Sequence, residues 1–221
     1  MRTCVIVPSR SRPQNLDRLA EAFTATNASA DLYAVLDIDD ESVYTTRFAH
    51  LYQHNNTGGS AKALNWAAKQ LLDSGMYGHY EYFVFMGDDH LPKTPNWDKE
   101  LIKPLRGTTG IAYGNDLLQG ENLPTAFVMS RDIVEALDGM TFPGCIHLYF
   151  DNFVKQLGID IGALYYMPNV IIEHLHPVAG KAEIDEGYAR VNQPKFYEED
   201  LLTLQKYLRS QDYADLVNKL K

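Results

Sequence analysis

Short, unbroken apolar runs closed by polar or acidic residues alternate, through the first half of the chain, with segments whose apolar residues recur at helical spacing. Cys4-Val-Ile-Val has the continuity of a strand buried on both faces. Leu16, Leu19, Ala20 and Phe23 then follow a helical period, and Pro13 suits the first turn of that helix. Leu32-Tyr-Ala-Val-Leu predicts a second strand, ending in the acidic stretch Asp37-Ile-Asp-Asp-Glu. Residues 61–72 carry the stripe Leu64, Ala67, Ala68, Leu71 and Leu72, with Ser60 as expected N-cap and Gly75 as terminator. Tyr82-Phe-Val-Phe-Met predicts a buried strand that stops at Gly87-Asp-Asp-His.

Beyond it the pattern predicts helices over 97–105, 133–137 and 152–157, and strands over 111–113 and 126–129. A last strand, Val170-Ile-Ile-Glu-His-Leu-His, precedes Pro177, and residues 198–220 read as one or two amphipathic helices. Strands alternating with helices predict an α/β fold: a Rossmann-like domain whose mostly parallel central sheet is flanked by helices. The expected division is residues 1–197 for this domain and 198–221 for a C-terminal helical extension packed on it.

Composition narrows the function classes. In 221 residues, 45% hydrophobic and 22% charged residues suit one ordinary globular core. A formal net charge of -9 opposes non-specific attraction to nucleic-acid phosphates or anionic lipid, so DNA is a disfavoured partner. Cys4 and Cys145 are too few for a disulfide framework and lack zinc-site spacing. The run 4–7 is cut short by Pro8 and no stretch reaches membrane-spanning length, so the expectation is a cytoplasmic protein without a membrane partner.

The candidate chemistry clusters at strand ends. Asp88 and Asp89 follow an apolar run, which places two adjacent carboxylates at the lip of a buried sheet, where ligands of open α/β sheets gather. Such a pair repels itself unless a cation compensates, and Mg²⁺ or Mn²⁺ does so with oxygen ligands; the alternative is a solvated, capping turn. His174 and His176, two apart on a strand, share a face if the segment stays extended, and either one suits a borderline ion such as Mn²⁺; the alternative is a pair packed in the core. Gly58-Gly-Ser-Ala-Lys opens a helix whose free N–H groups favour an anion, with Lys62 adding charge, or it is an ordinary helix start. Neither a Walker A loop nor Gly-x-Gly-x-x-Gly is present, which argues against a P-loop kinase or a dinucleotide dehydrogenase. Asp151, in Leu148-Tyr-Phe-Asp-Asn-Phe, has aromatic neighbours that would raise its pKa toward that of a useful base, and it equally suits an N-cap. Arg10, Arg12 and Lys181 are candidate phosphate partners, and residues 180–192, with Lys181, Tyr188 and Arg190, a candidate lid.

In this order, Val5-Ile-Val-Pro-Ser-Arg-Ser-Arg-Pro, the acidic end of the second strand, residues 55–65, the Asp88-Asp89 strand end and the Asp151 segment resemble the nucleotide-sugar domain of family 2 glycosyltransferases with the GT-A fold. Glu-His-Leu-His-Pro followed by Gly-Lys-Ala, within residues 173–182, is similar to a compact, often phage-encoded branch. The resemblance spans roughly residues 4–190. It implies a metal-dependent, inverting enzyme that moves a sugar from a nucleotide-sugar donor, a UDP-sugar, to a hydroxyl acceptor such as a modified DNA base, a virion protein or a glycan. Pro8, Ser9 and Arg10 would then border the nucleoside, and Asp39, or secondarily Asp37, would receive a uracil N–H. Gly59 and Lys62 would lie near the diphosphate with Lys181, Asp88 would face the ribose, Asp89 and His176 would hold Mn²⁺ or Mg²⁺ with His174 the second choice, and Asp151 would be the base. Gly-Asp-Asp-His stands where the family has Asp-x-Asp, Phe150 precedes Asp151 instead of an acid, and the Gln-x-x-Arg-Trp motif of processive synthases is missing, so a single addition is expected. A nucleotidyltransferase, a metallohydrolase and a non-catalytic nucleotide-sugar-binding module are the rival classes.

Overall fold

The computed structural model describes residues 1–45, 49–53, 59–73, 79–183, 188–189 and 193–221. Its strands are β1 (Thr3–Ser9), β2 (Asp31–Asp37), β3 (Ala49–Gln53), β4 (Tyr82–Phe85), β5 (His90–Pro92), β6 (Ile111–Asn115), β7 (Phe127–Ser130) and β8 (Leu164–His174). The helices are α1 (Pro13–Ala25), α2 (Gly59–Asp73), α3 (Trp97–Leu101), α4 (Arg131–Leu137), α5 (Phe150–Asp160), α6 (Pro194–Leu208) and α7 (Gln211–Leu220). The strands form one eight-stranded sheet in the order β3-β2-β1-β4-β7-β6-β8-β5. Pairings β1–β2, β2–β3, β1–β4 and β6–β8 are parallel, while β4–β7, β6–β7 and β5–β8 are antiparallel.

The apolar runs are continuous because each strand feeds two cores. Cys4 and Ile6 of β1 join Phe83 and Phe85 of β4 on the face covered by α2, α4, α5, α6 and α7. Val5 and Val7 join Tyr82 and Val84 on the opposite face, against Leu16, Leu19 and Phe23 of α1 and Trp97 and Leu101 of α3. Of the stripe predicted for α2, Leu64, Ala67, Ala68 and Leu71 are buried and Leu72 is half-buried, with Ala61 buried beside them. Leu204 of α6 and Tyr213, Leu216 and Val217 of α7 enter the first core, so the C-terminal helices share its apolar interior.

Several boundaries differ from expectation. Ser60 does not precede α2 but sits in its first turn. Gly75 and residues 55–58 lie outside the described residues. The helix expected over 97–105 is split into α3 and a 3-10 turn, Lys103–Leu105, because Pro104 cannot continue the α-helical ladder. β8 begins at Leu164, well before the predicted Val170; its first half is only half-buried and is separated from the predicted run by the exposed Pro168 and Asn169. The strand also ends at His174, so His176 lies beyond it. β3 and the three-residue β5 were not predicted.

A register shift between Gly114 and Asn115 bends β6 against β8 and delivers Asp116 to the end of the sheet. A Cβ at Gly114 would lie 2.4 Å from the Val170 carbonyl oxygen, a backbone atom that cannot swing away. Gly114→Ala is therefore expected to destabilise the protein by about 1–3 kcal/mol, read as a lower urea midpoint at unchanged slope.

Candidate active site

The chain leaves β1 toward β2 and β3 on one side, whereas β4, parallel to β1 on its other side, leads into the mixed half of the sheet. The carboxyl ends of β1 and β4 thus flank a topological switch point, where open α/β sheets leave a crevice. A cleft of about 290 Å³ lies there, lined by Pro8, Ser9, Arg10 and Arg12 from the β1 end, Asp37 from β2, Gly59 and Ser60 from α2, Asp88 and Asp89 after β4, residues 147–151, and His174 and His176.

Its wall on the β1 side is a lattice of ion pairs and hydrogen bonds. Ser9 Oγ donates to Asp88 Oδ2 at 2.7 Å, Arg12 reaches Asp88 Oδ1 at 3.2 Å, and Asn15 Nδ2 lies 3.4 Å from the same oxygen. Arg10 donates to Asp37 Oδ2 at 2.7 Å and to both Asp39 oxygens at 2.6 and 3.1 Å. Asp40 accepts from Ser11 N at 2.7 Å and Tyr44 Oη at 2.5 Å; burial would raise its carboxyl, but these bonds and those of Ser42 hold it at about 2. Asp88 is buried beside Asp89, and both facts push its carboxyl above the ordinary range against the pull of Arg12 and Ser9.

Asp89 faces the other way. Its Oδ2 lies 3.4 Å from His174 Nε2 and its Oδ1 3.2 Å from His90 Nδ1. His90 pairs in register with His174 across β5 and β8, and their rings stack at 4.1 Å. Despite burial, the two imidazoles hold Asp89 well below the usual carboxylate range. Asp89, His90 and His174 have ligand atoms within 4.8 Å of one another, a compact metal-ligating cluster among the described residues. Gly87 N lies 3.1 Å from His90 Nδ1 and donates to it, so the single lone pair or proton of that nitrogen is contested, and among the described residues its buried Nε2 has no hydrogen-bond partner. Among the described residues His174 Nδ1 likewise lacks a close hydrogen bond and faces Asp116 Oδ2 at 3.9 Å.

The second-choice histidine of the sequence reading is therefore the one set directly on Asp89. His176 stands alongside, 4.9 Å from His174 between ring centres, with Nδ1 accepting from Val178 N, and it too lines the cleft. The strand itself stops at His174 and His176 caps the 3-10 turn Pro177–Ala179, yet His176 keeps an extended backbone at φ -91° and ψ 142°, and both histidines line the cleft.

On the opposite wall, Gly59 combines a φ of +65° with close approach: a Cβ there would meet the Ile146 carbonyl oxygen at 2.5 Å. This packs α2 onto the segment that leads to Asp151, and Ser60 Oγ meets His147 Nδ1 at 2.8 Å. Asp151 lies in the first turn of α5, where its Oδ1 accepts from Asn152 N at 2.8 Å; the N-cap position belongs to Tyr149, at φ 63°. Burial raises the Asp151 carboxyl, as its aromatic setting implied. Phe150 turns inward, 4.9 Å edge-on to Phe85.

Some sequence candidates are not brought to the cleft. Lys62 is exposed and Lys181 pairs with Glu173 at 2.8 Å, and neither lines it. Asp39 reaches the wall only through Arg10. Of the candidate lid, residues 184–187 and 190–192 lie outside the described residues, while Tyr188 packs 5.4 Å from His176. Asn15, His147 and Tyr149 went unnoticed as site residues, because their part depends on contacts across the fold.

This arrangement of strands and cleft is the GT-A glycosyltransferase fold. The chain is similar to TarS from S. aureus (TM-score 0.59, 14% identity), covering 99% of its own length but only 43% of that protein's. Glucosyl-3-phosphoglycerate synthase from Mycobacterium tuberculosis, crystallised with Mn²⁺, UDP and phosphoglyceric acid, matches at TM-score 0.57 and 12% identity over 94% of this chain and 78% of that one. The catalytic domain of Drosophila β1,4-galactosyltransferase 7, in complex with xylobiose, matches at TM-score 0.52 and 15% identity over 87% and 79%. No protein-family model matches the chain, and no curated protein matches it in sequence. No helix among the described residues is long and apolar enough to cross a membrane.

Burial alone would lower the His174 pKa, but Asp116 and Asp89 overcome it and raise the imidazole to about 9. A group with a raised folded-state pKa stabilises the fold fully below its free value and loses that effect as pH rises through the folded value. In metal-free protein the stability advantage of wild type over His174→Gln is expected to shrink by up to about 3 kcal/mol between about pH 6 and 10, measured by urea denaturation with a chelator present.

Proposed function

We propose that the protein is a divalent-metal-dependent glycosyltransferase that moves a sugar from a nucleotide-sugar donor, a UDP-sugar, to a hydroxyl acceptor in a single inverting displacement. The observation that carries this reading is the division of labour at the switch point: Asp88 is bound by the β1 end and α1, Asp89 by two histidines. The GT-A fold and neighbours crystallised with UDP and Mn²⁺ support it.

The residues present fit a hard or borderline cation. Asp89 is held ionised and His174 is held protonated beside it, so the site already stabilises positive charge where a metal would replace that proton. Asp89 and His174 would hold Mn²⁺ or Mg²⁺, with His176 Nε2 as further donor. When bound, the ion would neutralise charge developing on the departing diphosphate.

The chain's own groups account for the remaining tasks. Pro8, Ser9 and Arg10 border the nucleoside, with Asp37 or Asp39 exchanging its bond to Arg10 for a base N–H. Asp88 faces the ribose, and Arg12, one of the candidate phosphate partners in the sequence and already at the cleft, takes the diphosphate role that the resemblance implied for Lys62 and Lys181. Asp151, whose raised pKa makes it a competent proton acceptor, would deprotonate the acceptor hydroxyl beside Tyr149. Two free, buried thiols suit action in a reducing cytoplasm.

A thermal-shift panel of UDP-, GDP-, dTDP- and CMP-sugars, with and without Mn²⁺, tests donor and metal together. UDP-sugars are expected to raise Tm only when Mn²⁺ is present, and the products should be UDP and a glycoside; release of pyrophosphate, or stabilisation independent of metal, would sink the proposal. Asp151→Asn is expected to lower turnover roughly a hundredfold or more while leaving the donor Kd within about twofold. Unimpaired transfer by that variant would require another base.

A further inference from the structure

The wall that carries Tyr149 and Asp151 is held from behind by the C-terminal helices. Asp200 of α6 is completely buried, and no cation within the described contacts neutralises it. Its carboxylate instead accepts three consecutive backbone N–H groups: Ile146 N at 2.8 Å on Oδ1, and His147 N and Leu148 N at 2.9 and 2.7 Å on Oδ2. One helical turn earlier, Tyr197 sets its ring edge-on to Tyr149 at 6.2 Å. At the far end of α5, Tyr213 Oη of α7 donates to Asp160 Oδ2 at 2.6 Å. The segment 146–160 is therefore gripped at both ends by α6 and α7, while Ala61 N of α2 donates to the Ile146 carbonyl from the cleft side at 3.2 Å.

The grip falls where the backbone most needs it. Tyr149 is a non-glycine residue at φ 63°, a conformation that relaxes unless its surroundings impose it. The three amides bound by Asp200 immediately precede Tyr149, and Asp151 follows two residues later. We propose that Asp200 is a positioning residue for sugar transfer: by collecting the amides of 146–148 it fixes the turn at Tyr149 and thereby the place of the Asp151 carboxyl in the cleft. This rests on the transferase reading for its catalytic consequence, but the structural grip stands apart from it. The helix pair that showed no site chemistry in the sequence thus forms the rear support of the acceptor wall.

Asp200→Asn preserves size and offers one oxygen, but its NH₂ group must face at least one of the three N–H donors. UDP release from UDP-glucose with Mn²⁺, water serving as acceptor, and amide hydrogen exchange without ligand are measured on the full chain. The expected result is a kcat lowered at least about tenfold with donor KM and Mn²⁺ affinity within about twofold, because misplacing a reacting group costs rate and spares donor binding. Exchange should accelerate at 146–148 and stay unchanged in β1 and β4. An unchanged kcat, a KM that rises in step with the lost rate, or unaltered exchange at 146–148 would overturn the proposal. Should Asp200→Asn fail to fold, Tyr197→Ala, at a half-exposed ring, is expected to lower kcat about threefold at constant KM, and no change would count against it equally. If wild type turns over none of the nucleotide sugars in the panel, the transferase reading fails, while the exchange data and a crystal structure of Asp200→Asn still decide whether Tyr149 leaves its left-handed conformation.

Discussion

Two ionisable carboxylates on consecutive residues at the end of a buried strand repel each other, and the structure is organised around keeping Asp88 and Asp89 there. Each is compensated from a different half of the sheet. The parallel half supplies Ser9, Arg12 and Asn15 to Asp88, and the mixed half supplies His90 and His174 to Asp89. Topology makes this automatic. β1 lies beside β4, so its end meets Asp88; β5 follows Asp89 directly and pairs with β8, so the register that sets His90 against His174 also carries His174 to Asp89. Breaking a single partner would leave a buried charge uncompensated, which is why the lattice extends outward through Arg10, Asp37 and Asp40.

What could be read from the sequence follows the range of the interactions involved. The strands β1, β2 and β4 were legible because burial on both faces writes an unbroken apolar run, and the acidic dipeptide stood out because it interrupts one. α2 was legible because its stripe repeats with the helix period. By contrast, a two-residue spacing treats His174 and His176 alike, and only the end of β8 distinguishes them. The first half of that strand was hidden because Pro168 and Asn169 are exposed and interrupt the pattern, and β5 is too short to have one.

Other parts were illegible for a deeper reason. Asp200 recognises backbone N–H groups more than fifty positions away, and backbone amides carry no residue signature. The left-handed Tyr149 gives no local warning either, since glycine or asparagine is the usual marker of that conformation. Lys62 and Lys181 show the opposite error. Basic residues near a glycine-rich helix start or a histidine pair look like phosphate ligands, yet one is solvated and the other is taken by Glu173.

The charge of the cleft itself argues for the cation. Asp37, Asp88, Asp89 and Asp151 line it, against Arg10, Arg12 and a protonated His174, and both arginines are already committed to carboxylates. A diphosphate entering such a space would meet at best a balanced field, in a protein whose net charge of -9 gives no long-range attraction. Raised pKa values at Asp88 and Asp151 reduce the negative charge without reversing it. A divalent ion in place of the His174 proton would change the local sign, because it would bring two charges where one stood. It would leave the arginines free to trade a carboxylate for a phosphate oxygen of similar geometry. On the proposed reading, the same exchange would let an acidic protein take up an anionic donor: attraction would be confined to the few ångströms around Asp89 and would depend on the bound ion.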